Sequence, residues 1–408
     1  MELLPKSAYE TPVPELYPVR QTFDPAHVED IEAAVRAEFA RPEIAQRIRP
    51  GVKTALLAGS RGIANIDRIV RASVDALKAL GADPVIIPAM GSHGGATAEG
   101  QIEVLAGYGI TEKAMGCPIE SSMEVVQTGC VGEVKIYADK NAAACGAIIP
   151  IGRVKAHTDF KGPIESGLCK MLSIGIGKHV GCTSLHKLGF ENFHWLIPEA
   201  AAVNIANLPV IFGLAVIENA YEQTYRIEAV EAEKIREREP ELLKIANANL
   251  PGLPFETIDL LIVEQLGKDI SGCGMDPNVT GRTWCGLLPG FTGPAIKRIL
   301  VTGLTERTHG NATGLGYADL TTRAVLDELD WHTTAINAIS SGNPMSGKVP
   351  CVVEDEKEGI LVTVSSTPGI DRANPRIVKI RSTLELTEFE VSEALLPEVR
   401  RNPRMTII

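Results

Sequence analysis

The sequence predicts two α/β domains built on mainly parallel sheets. Its 408 residues exceed the size of one ordinary hydrophobic core, so two domains are expected. Hydrophobic residues make up 45% of the chain and charged residues 22%, which is typical of a folded globular protein. Apolar segments alternate with amphipathic ones in a β-α-β-α order. This order indicates parallel strands joined by right-handed crossovers.

Three predicted strands in the first half each run into a glycine-rich or polar loop. They cover residues 53–59, 84–90 and 145–152. A helix follows the first strand and ends at Gly81, and a second helix runs through Leu105. In open α/β sheets, ligands bind beyond the carboxyl ends of the strands. We therefore expect Arg61, His93 and His157, which follow the three strands, to face one site.

The remaining elements are predicted in the same way. After a helix beginning near residue 163, a helix over 190–207 is followed by a strand over 208–220 and a charged helix over 228–248. The proline-bearing segment 249–259 is the predicted linker, with domains over 1–252 and 253–408. The second domain is predicted from these further segments: strands 260–267, 298–304, 359–366 and 376–382, and a helix over 319–329.

Charge and composition exclude several classes of protein. The net charge of −11 argues against general binding to nucleic acid or to an anionic membrane. No apolar run approaches the ~20 residues that span a bilayer, and no secretory signal is recognisable, so a cytoplasmic protein is expected. The eight cysteines include no C-x-x-C pair, which makes free thiols the expectation and argues against a zinc ribbon.

Common catalytic motifs are missing from the sequence. It contains no P-loop, no H-E-x-x-H pair and no G-x-S-x-G elbow. Gly175, Gly177 and Gly181 give G-x-G-x-x-x-G after a helix, which is one residue too long for a dinucleotide fingerprint. Ser166 and Lys170 have the wrong spacing for a serine-lysine acylase.

The segment 151–188 is basic in an otherwise acidic chain. Its only acidic residues are Asp159 and Glu165, whereas its basic residues are Arg153, Lys155, Lys161, Lys170, Lys178 and Lys187. Such a segment beside strand ends indicates an anionic ligand, for example a phosphate or a carboxylate. A solvated basic face is the alternative.

Five residues, in order along the chain, resemble the lactate racemase family, whose enzymes use a nickel-pincer nucleotide. They are Arg61 in GSRGI, His93 in GSHGG, His157 in RVKAHTDF, Lys170 in GLCKM and His186 in TSLH. The segments EQLGKDISGCGMDPNVTGR and HGNATGLGYADL of the second half resemble homologues of the same family. The resemblance covers most of the chain.

The resemblance implies the cofactor pyridinium-3,5-bisthiocarboxylic acid mononucleotide nickel, in which nickel is bound through sulfur, carbon and sulfur. His186 matches the histidine that supplies the fourth nickel ligand, and His179 is an alternative. Lys170 matches the lysine that can hold the cofactor covalently, although non-covalent contact is also open. Further expected cofactor contacts come from Ser60, Arg61, Lys155, Gly177 and Lys178.

The resemblance also implies roles in catalysis. Arg61 and Lys268 would orient a 2-hydroxy acid through its carboxylate or hydroxyl group. His93 and His157 would act as general acid and base in two substrate orientations while hydride leaves and returns to the substrate Cα. A tryptophan contact to the substrate is open among Trp195, Trp284 and Trp331.

The sequence therefore predicts an isomerase, a racemase or epimerase of a 2-hydroxy acid, with its site in the cleft between two domains. The identity of the hydroxy acid is open, and so is the oligomeric state, with a homo-oligomer among the alternatives. Two other functions remain: a nickel-independent phosphate-binding transferase or lyase that acts on an anionic metabolite, and a non-catalytic homologue that binds the cofactor.

Overall fold

The protein folds into two compact units. The computed structural model describes residues 3–60, 62–283, 290–291 and 293–408. Asp24–Leu250 form the first, which we call the N-terminal unit; Pro251–Ile408, together with the residues up to Phe23, form the C-terminal unit. The predicted site residue Arg61 and the candidate Trp284 lie outside the described residues.

The described ranges contain fifteen strands. They are β1 (Leu16–Gln21), β2 (Lys53–Ala58), β3 (Asp83–Pro88), β4 (Val125–Val131), β5 (Val134–Asp139), β6 (Ala147–Arg153), β7 (Phe212–Glu218), β8 (Thr224–Glu231), β9 (Thr257–Val263), β10 (Ala295–Val301), β11 (Leu320–Thr322), β12 (Cys351–Val353), β13 (Ile377–Ile380), β14 (Glu388–Ser392) and β15 (Met405–Ile407).

The helices alternate with these strands. They are α1 (Lys6–Tyr9), α2 (Ile31–Ala40), α3 (Pro42–Ala45), α4 (Ile66–Ala79), α5 (Ala98–Gly107), α6 (Glu112–Met115), α7 (Lys140–Ala143), α8 (Leu168–Lys170), α9 (Lys178–His186), α10 (Phe193–Asn207), α11 (Ile235–Ala248), α12 (Pro277–Thr280), α13 (Arg323–Glu328), α14 (Trp331–Ser340), α15 (Glu356–Ser366) and α16 (Leu396–Arg401). A π-helical turn, Met171–Gly175, follows α8. In the described parts, no helix is both long and apolar enough to cross a bilayer.

The N-terminal unit is built on a five-stranded sheet with the order β3-β2-β6-β7-β8. The first four strands are parallel and β8 is antiparallel to β7. Leu56 of β2 lies opposite Ile86 and Ile149, and all three pack into the core on one face. Leu57 packs into the core on the other face. Burial on both faces explains why these strands are continuous apolar runs.

The C-terminal unit contains an eight-stranded sheet with the order β12-β11-β10-β9-β13-β14-β1-β15. The strands from β12 to β13 are parallel, and β14, β1 and β15 continue the sheet in antiparallel pairings. Strand β1, at the start of the chain, therefore belongs to the sheet of the C-terminal unit. The prediction of an α/β fold with mainly parallel sheets is confirmed.

Several predicted elements are wrong in type or extent; among them, the first residues of the predicted helix 319–329 form β11, and the helix itself begins at Arg323. The predicted strand 359–366 is part of α15, because Asp355 accepts the N–H of Glu358 and so caps the helix. The predicted helix 228–248 begins only at Ile235, since residues before it pair with β7 as β8. The helix expected near residue 163 begins at Leu168.

Candidate functional site

Side chains following β2 and β3 meet at the edge of the N-terminal sheet where β6 also ends. These three strands are parallel neighbours, so their carboxyl ends lie side by side. Ser60 follows β2 and His93 follows β3, and the Ser60 hydroxyl is hydrogen-bonded to Nδ1 of His93. The Tyr108 hydroxyl donates to the carbonyl of Ser60 at 2.7 Å, which fixes the loop after β2.

The loop carrying His93 packs closely against the helical segment that follows β6. The N–H of Gly91 donates to the carbonyl of Gly175 at 3.1 Å. Gly91 has a φ of +59°, and a Cβ added there would lie 3.4 Å from Cβ of Cys182. Glycine therefore satisfies both the left-handed backbone and the close approach. The Ser92 hydroxyl lies 3.8 Å from Sγ of Cys182.

The backbone and ring of His157 are held by neighbouring polar groups. Its N–H donates to Oε2 of Glu165 at 2.6 Å, and Lys161 forms an ion pair with the same carboxylate at 3.1 Å. The N–H of Asp159 donates to Nδ1 of the His157 ring at 3.0 Å. The orientation of the imidazole is thus fixed from within the loop.

The other ring nitrogen of His157 contacts Lys170. Nε2 lies 2.5 Å from Nζ of Lys170. The N–H of Asp159 and the amine of Lys170 thus lie at the two nitrogens of one ring. The donor in the contact between Lys170 and Nε2 depends on the protonation of both groups.

The segment from Lys170 to His186 contains α8, the π-helical turn and α9, and its glycines meet protein atoms. A Cβ at Gly175 would lie 2.7 Å from the carbonyl oxygen of Ala89, and one at Gly177 would lie 3.0 Å from that of Ser173. The backbone at these glycines is therefore closely packed. Its neighbours are the loop after β3 and the helical segment itself. In this structure Gly177 is buried.

The ring of His186 is oriented by the turn of helix before it. Nδ1 donates to the carbonyl of Cys182 at 2.7 Å and lies 3.5 Å from Sγ of the same residue. No residue in the described part of the chain hydrogen-bonds to Nε2. This tautomer leaves the Nε2 lone pair available on an exposed ring, as in histidines that ligate metals.

The contact between His186 and Cys182 also changes the pKa values of both side chains. Partial desolvation lowers the pKa of His186, but the hydrogen bond to Cys182 and the charge of its thiolate outweigh this effect and raise the pKa above its usual value. Burial raises the pKa of Cys182, while its hydrogen bond with His186 lowers it more. The contact thus shifts the pKa values of the two side chains toward each other.

Two phenylalanines after α9 connect the rings of His157 and His186. The ring of Phe190 lies 6.4 Å from that of His157 and 5.5 Å from that of His186, measured between centroids. Phe193 lies 4.9 Å from the His186 ring. The sequence pattern predicts these phenylalanines only as helix residues. The FENF segment, a pair of aromatics three positions apart just after the candidate ligand, was the available signal.

Lys178 is neither a solvated charge nor a surface available to a cofactor. Its side chain is 0% exposed and forms an ion pair with Oδ2 of Asp139 at 3.2 Å. It also donates to Oε1 of Gln101 at 2.8 Å and to the carbonyl of Pro88. The ammonium thus has two hydrogen-bond acceptors and one ion-pair partner, all from the protein. Burial lowers its pKa, although the charge of Asp139 opposes the shift.

The other predicted residues lie in different surroundings. Lys155 is half-buried, and its backbone pairs with Ser166 in an antiparallel bridge. His179 is exposed on the first turn of α9. Lys268 lies in the C-terminal unit, where Nζ donates to the carbonyl of Gly272 at 2.6 Å. Trp195 and Trp331 are 39% and 57% exposed.

Comparison with solved structures identifies a related fold. The fold is similar to that of lactate racemase. The apoprotein of lactate racemase from Thermoanaerobacterium thermosaccharolyticum matches with a TM-score of 0.54 and 11% identity over 91% of this chain and 99% of that chain. A structural genomics target from Thermotoga maritima matches with a TM-score of 0.46 and 14% identity over 67% of this chain and 70% of that one.

Comparison of the sequence with known families and proteins assigns the chain to none of them. No protein-family model matches the chain, and neither does any curated protein. At 11% identity, the similarity to the lactate racemase apoprotein shows the fold alone. Within the described ranges, no group of three or more histidine, cysteine, aspartate or glutamate side chains could together hold a metal ion.

Proposed function

We propose that this chain is an isomerase that racemises or epimerises a 2-hydroxy acid with the help of a nickel-pincer nucleotide. The observation that carries the proposal is the His186 ring. It is held through Nδ1–H in the tautomer that a metal ligand needs, on the same helical segment as Lys170. The lactate racemase fold is consistent with the proposal.

The donor set of the site fits such a cofactor. A nucleotide that brings its own sulfur and carbon donors needs one further ligand, so a single histidine suffices where a bare metal ion would need a cluster. A neutral imidazole is a suitable fourth donor for nickel. The Lys170 amine would hold one arm of the cofactor, by a covalent bond or by a polar contact, because it lies on the same helical segment as His186.

The histidines at the strand ends would transfer protons. A nickel-pincer nucleotide, when bound, supplies a reversible acceptor of hydride. His93 and His157 would remove and return the proton of the substrate hydroxyl, each serving one substrate orientation. The Ser60 hydroxyl orients the His93 ring through Nδ1, and Asp159 orients the His157 ring in the same way.

Cations would bind the substrate carboxylate and the cofactor phosphate. We assign the carboxylate to Arg61 and to Lys268 of the C-terminal unit, and the phosphate to Ser60 and Lys155. The location of the site between the two domains and the domain limits near residue 252 stay predictions. Lys178 is not included because its ammonium has three protein partners.

The test uses the full chain expressed together with the enzymes that synthesise the nickel-pincer nucleotide. We expect about one nickel per chain and an absorption band absent from protein expressed alone. In a screen of 2-hydroxy acids deuterated at Cα, chiral analysis should show inversion with the deuterium retained, because hydride returns to the carbon it left. Exchange of that deuterium with solvent, or protein without nickel, would refute the proposal.

A further inference from the structure

The buried ion pair between Lys178 and Asp139 lies beside the candidate site but takes no part in it. Both side chains are 0% exposed. Burying such a pair contributes little to stability, because desolvation offsets the attraction. Lys178 also has a φ of +52°, a left-handed conformation that is unusual for a residue other than glycine. A buried ion pair that adds little stability, at a residue with a strained backbone, indicates that the pair positions neighbouring segments.

Gln101 extends this pair to the loop that carries His93. Its side chain is fully buried in α5, and Oε1 accepts a hydrogen bond from Lys178 at 2.8 Å. Its Nε2 donates to the carbonyl of Gly91 at 3.0 Å and to that of His93 at 3.3 Å. Lys178 itself donates to the carbonyl of Pro88, the last residue of β3. The loop is therefore held at both ends.

The same network reaches the helical segment of Lys170 and His186. Lys178 is the first residue of α9, which ends at His186. The N–H of Asp139 donates to the carbonyl of Ile176 at 2.8 Å, immediately after the π-helical turn. The loop after β3 and the helical segment after β6 are thus fixed to one buried group.

We infer that Lys178 and Gln101 are positioning residues, which fix the His93 loop relative to the helical segment containing Lys170 and His186. The importance of that alignment for catalysis rests on the proposed function, whereas the alignment itself can be measured without activity. Both side chains are fully buried and bonded to protein groups. Their effect is transmitted through the carbonyls of the loop.

The first test replaces Gln101 with methionine. Gln101→Met keeps the size of the side chain and the Lys178–Asp139 pair, but it removes the bonds to Gly91 and His93 and one acceptor of Lys178. Amide hydrogen exchange of residues 89–97 should rise at least about tenfold, because both hydrogen bonds to the loop are lost, while exchange in β2 and β6 stays as in the wild type. The matched control is Gln21→Met, since Gln21 of the C-terminal unit is also buried and donates to two carbonyls.

The second test replaces both charged residues. Lys178→Met alone leaves Asp139 as an unpaired buried carboxylate, so the variant to use is Lys178→Met with Asp139→Asn. Both the double variant and Gln101→Met should shift the 15N signals of the His93 imidazole in protein labelled at histidine, with those of His194 unchanged. Exchange within twofold of the wild type at residues 89–97 in a folded variant would overturn the inference.

A kinetic measurement separates this inference from the proposed function. On cofactor-loaded protein, Gln101→Met should lower kcat at least about tenfold with little change in KM, because misalignment of an acid/base group affects the chemical step. If the wild type does not racemise any hydroxy acid, the proposed function fails. The exchange and 15N results still decide whether Lys178 and Gln101 position the His93 loop.

Discussion

The Nζ atom of Lys170 lies 2.5 Å from Nε2 of His157. The N–H of Asp159 donates to Nδ1 of the same ring at 3.0 Å, so both ring nitrogens have a polar neighbour. One contact thus links a candidate acid/base group to the residue that would hold the cofactor.

Replacing Lys170 with arginine removes the primary amine but keeps a long basic side chain. A guanidinium cannot form the covalent bond to an arm of the cofactor that an amine can form. We expect racemisation to fall at least about 100-fold. Under denaturing conditions, the intact mass of cofactor-loaded wild type should include the cofactor and that of Lys170→Arg should not. Lys187→Arg, at an exposed lysine, is the control.

His186 and His179 can be distinguished by nickel content. His186→Gln should reduce bound nickel at least about tenfold, because it removes the imidazole whose tautomer is fixed by Cys182. His179→Gln should retain nickel, since His179 is exposed on the first turn of α9. Metal analysis of both variants after cofactor loading gives the answer. Loss of nickel in His179→Gln but not in His186→Gln would identify His179 as the ligand instead.

The two strand-end histidines should affect chemistry without affecting nickel. His93→Gln and His157→Gln should each lower kcat by about 10²- to 10⁴-fold, the usual contribution of a general acid or base. Nickel content should stay near the wild-type level. His194→Gln, which changes an exposed ring hydrogen-bonded to the carbonyl of Glu191, should leave both quantities unchanged. Loss of nickel in either strand-end variant would make that histidine a ligand instead.

Local patterns predicted the strands and the loops after them, but pairings distant in sequence were missed. The apolar runs that became β2, β3 and β6 are buried on both faces, so their composition alone indicates strands. Strand β1 was missed because its stability comes from pairing with β14 and β15 at the other end of the chain. The apolar residues of α15 resemble a strand unless its capping Asp355 is recognised.

In the candidate site, too, contacts between residues distant in sequence could not be predicted. His93 and His157 were predicted because each follows a strand directly, and a parallel sheet brings such positions together. The burial of Lys178 could not be predicted, since its partner Gln101 is 77 positions away and in a different element. A lysine in a basic segment appears solvated until the fold surrounds it with acceptors. The tautomers of His157 and His186 likewise depend on backbone groups that only the fold places.

Adding a methyl group at Gly175 tests how closely the helical segment and the loop after β3 must pack. A Cβ there would lie 2.7 Å from the carbonyl oxygen of Ala89, so Gly175→Ala should lower the free energy of unfolding by about 1–3 kcal/mol. Gly107→Ala is the control, because nothing lies within 4 Å of its Cβ position at the end of α5. It should raise stability by up to about 1 kcal/mol. Urea unfolding measures both, and equal effects would contradict the close packing.

Glu239 of α11 is buried behind the start of the Lys170 helix. It is 1% exposed, and Oε2 accepts the N–H of Cys169 at 2.9 Å. In the described part of the chain, Oε1 has no hydrogen-bond partner. A Cβ at Gly167 would lie 2.0 Å from this oxygen, so a larger residue there would displace the carboxylate. Burial raises the pKa of Glu239 to about 7, although the bonds from Cys169 oppose the shift.

This raised pKa predicts that stability falls as pH rises. Between the ordinary pKa of 4.5 and about 7, the unfolded chain has lost the proton that the folded chain keeps. The free energy of unfolding should therefore decrease across this window, by a total on the order of 3 kcal/mol, and then level off. Glu239→Gln keeps an acceptor for Cys169 and cannot ionise, so it should remove this decrease.

Urea unfolding from pH 5 to 8 should show that Glu239→Gln is more stable than the wild type at pH 8. The control is Glu237→Gln, at an exposed position of the same helix, which should retain the wild-type dependence of stability on pH. An unchanged slope in Glu239→Gln would mean that other groups cause the pH dependence.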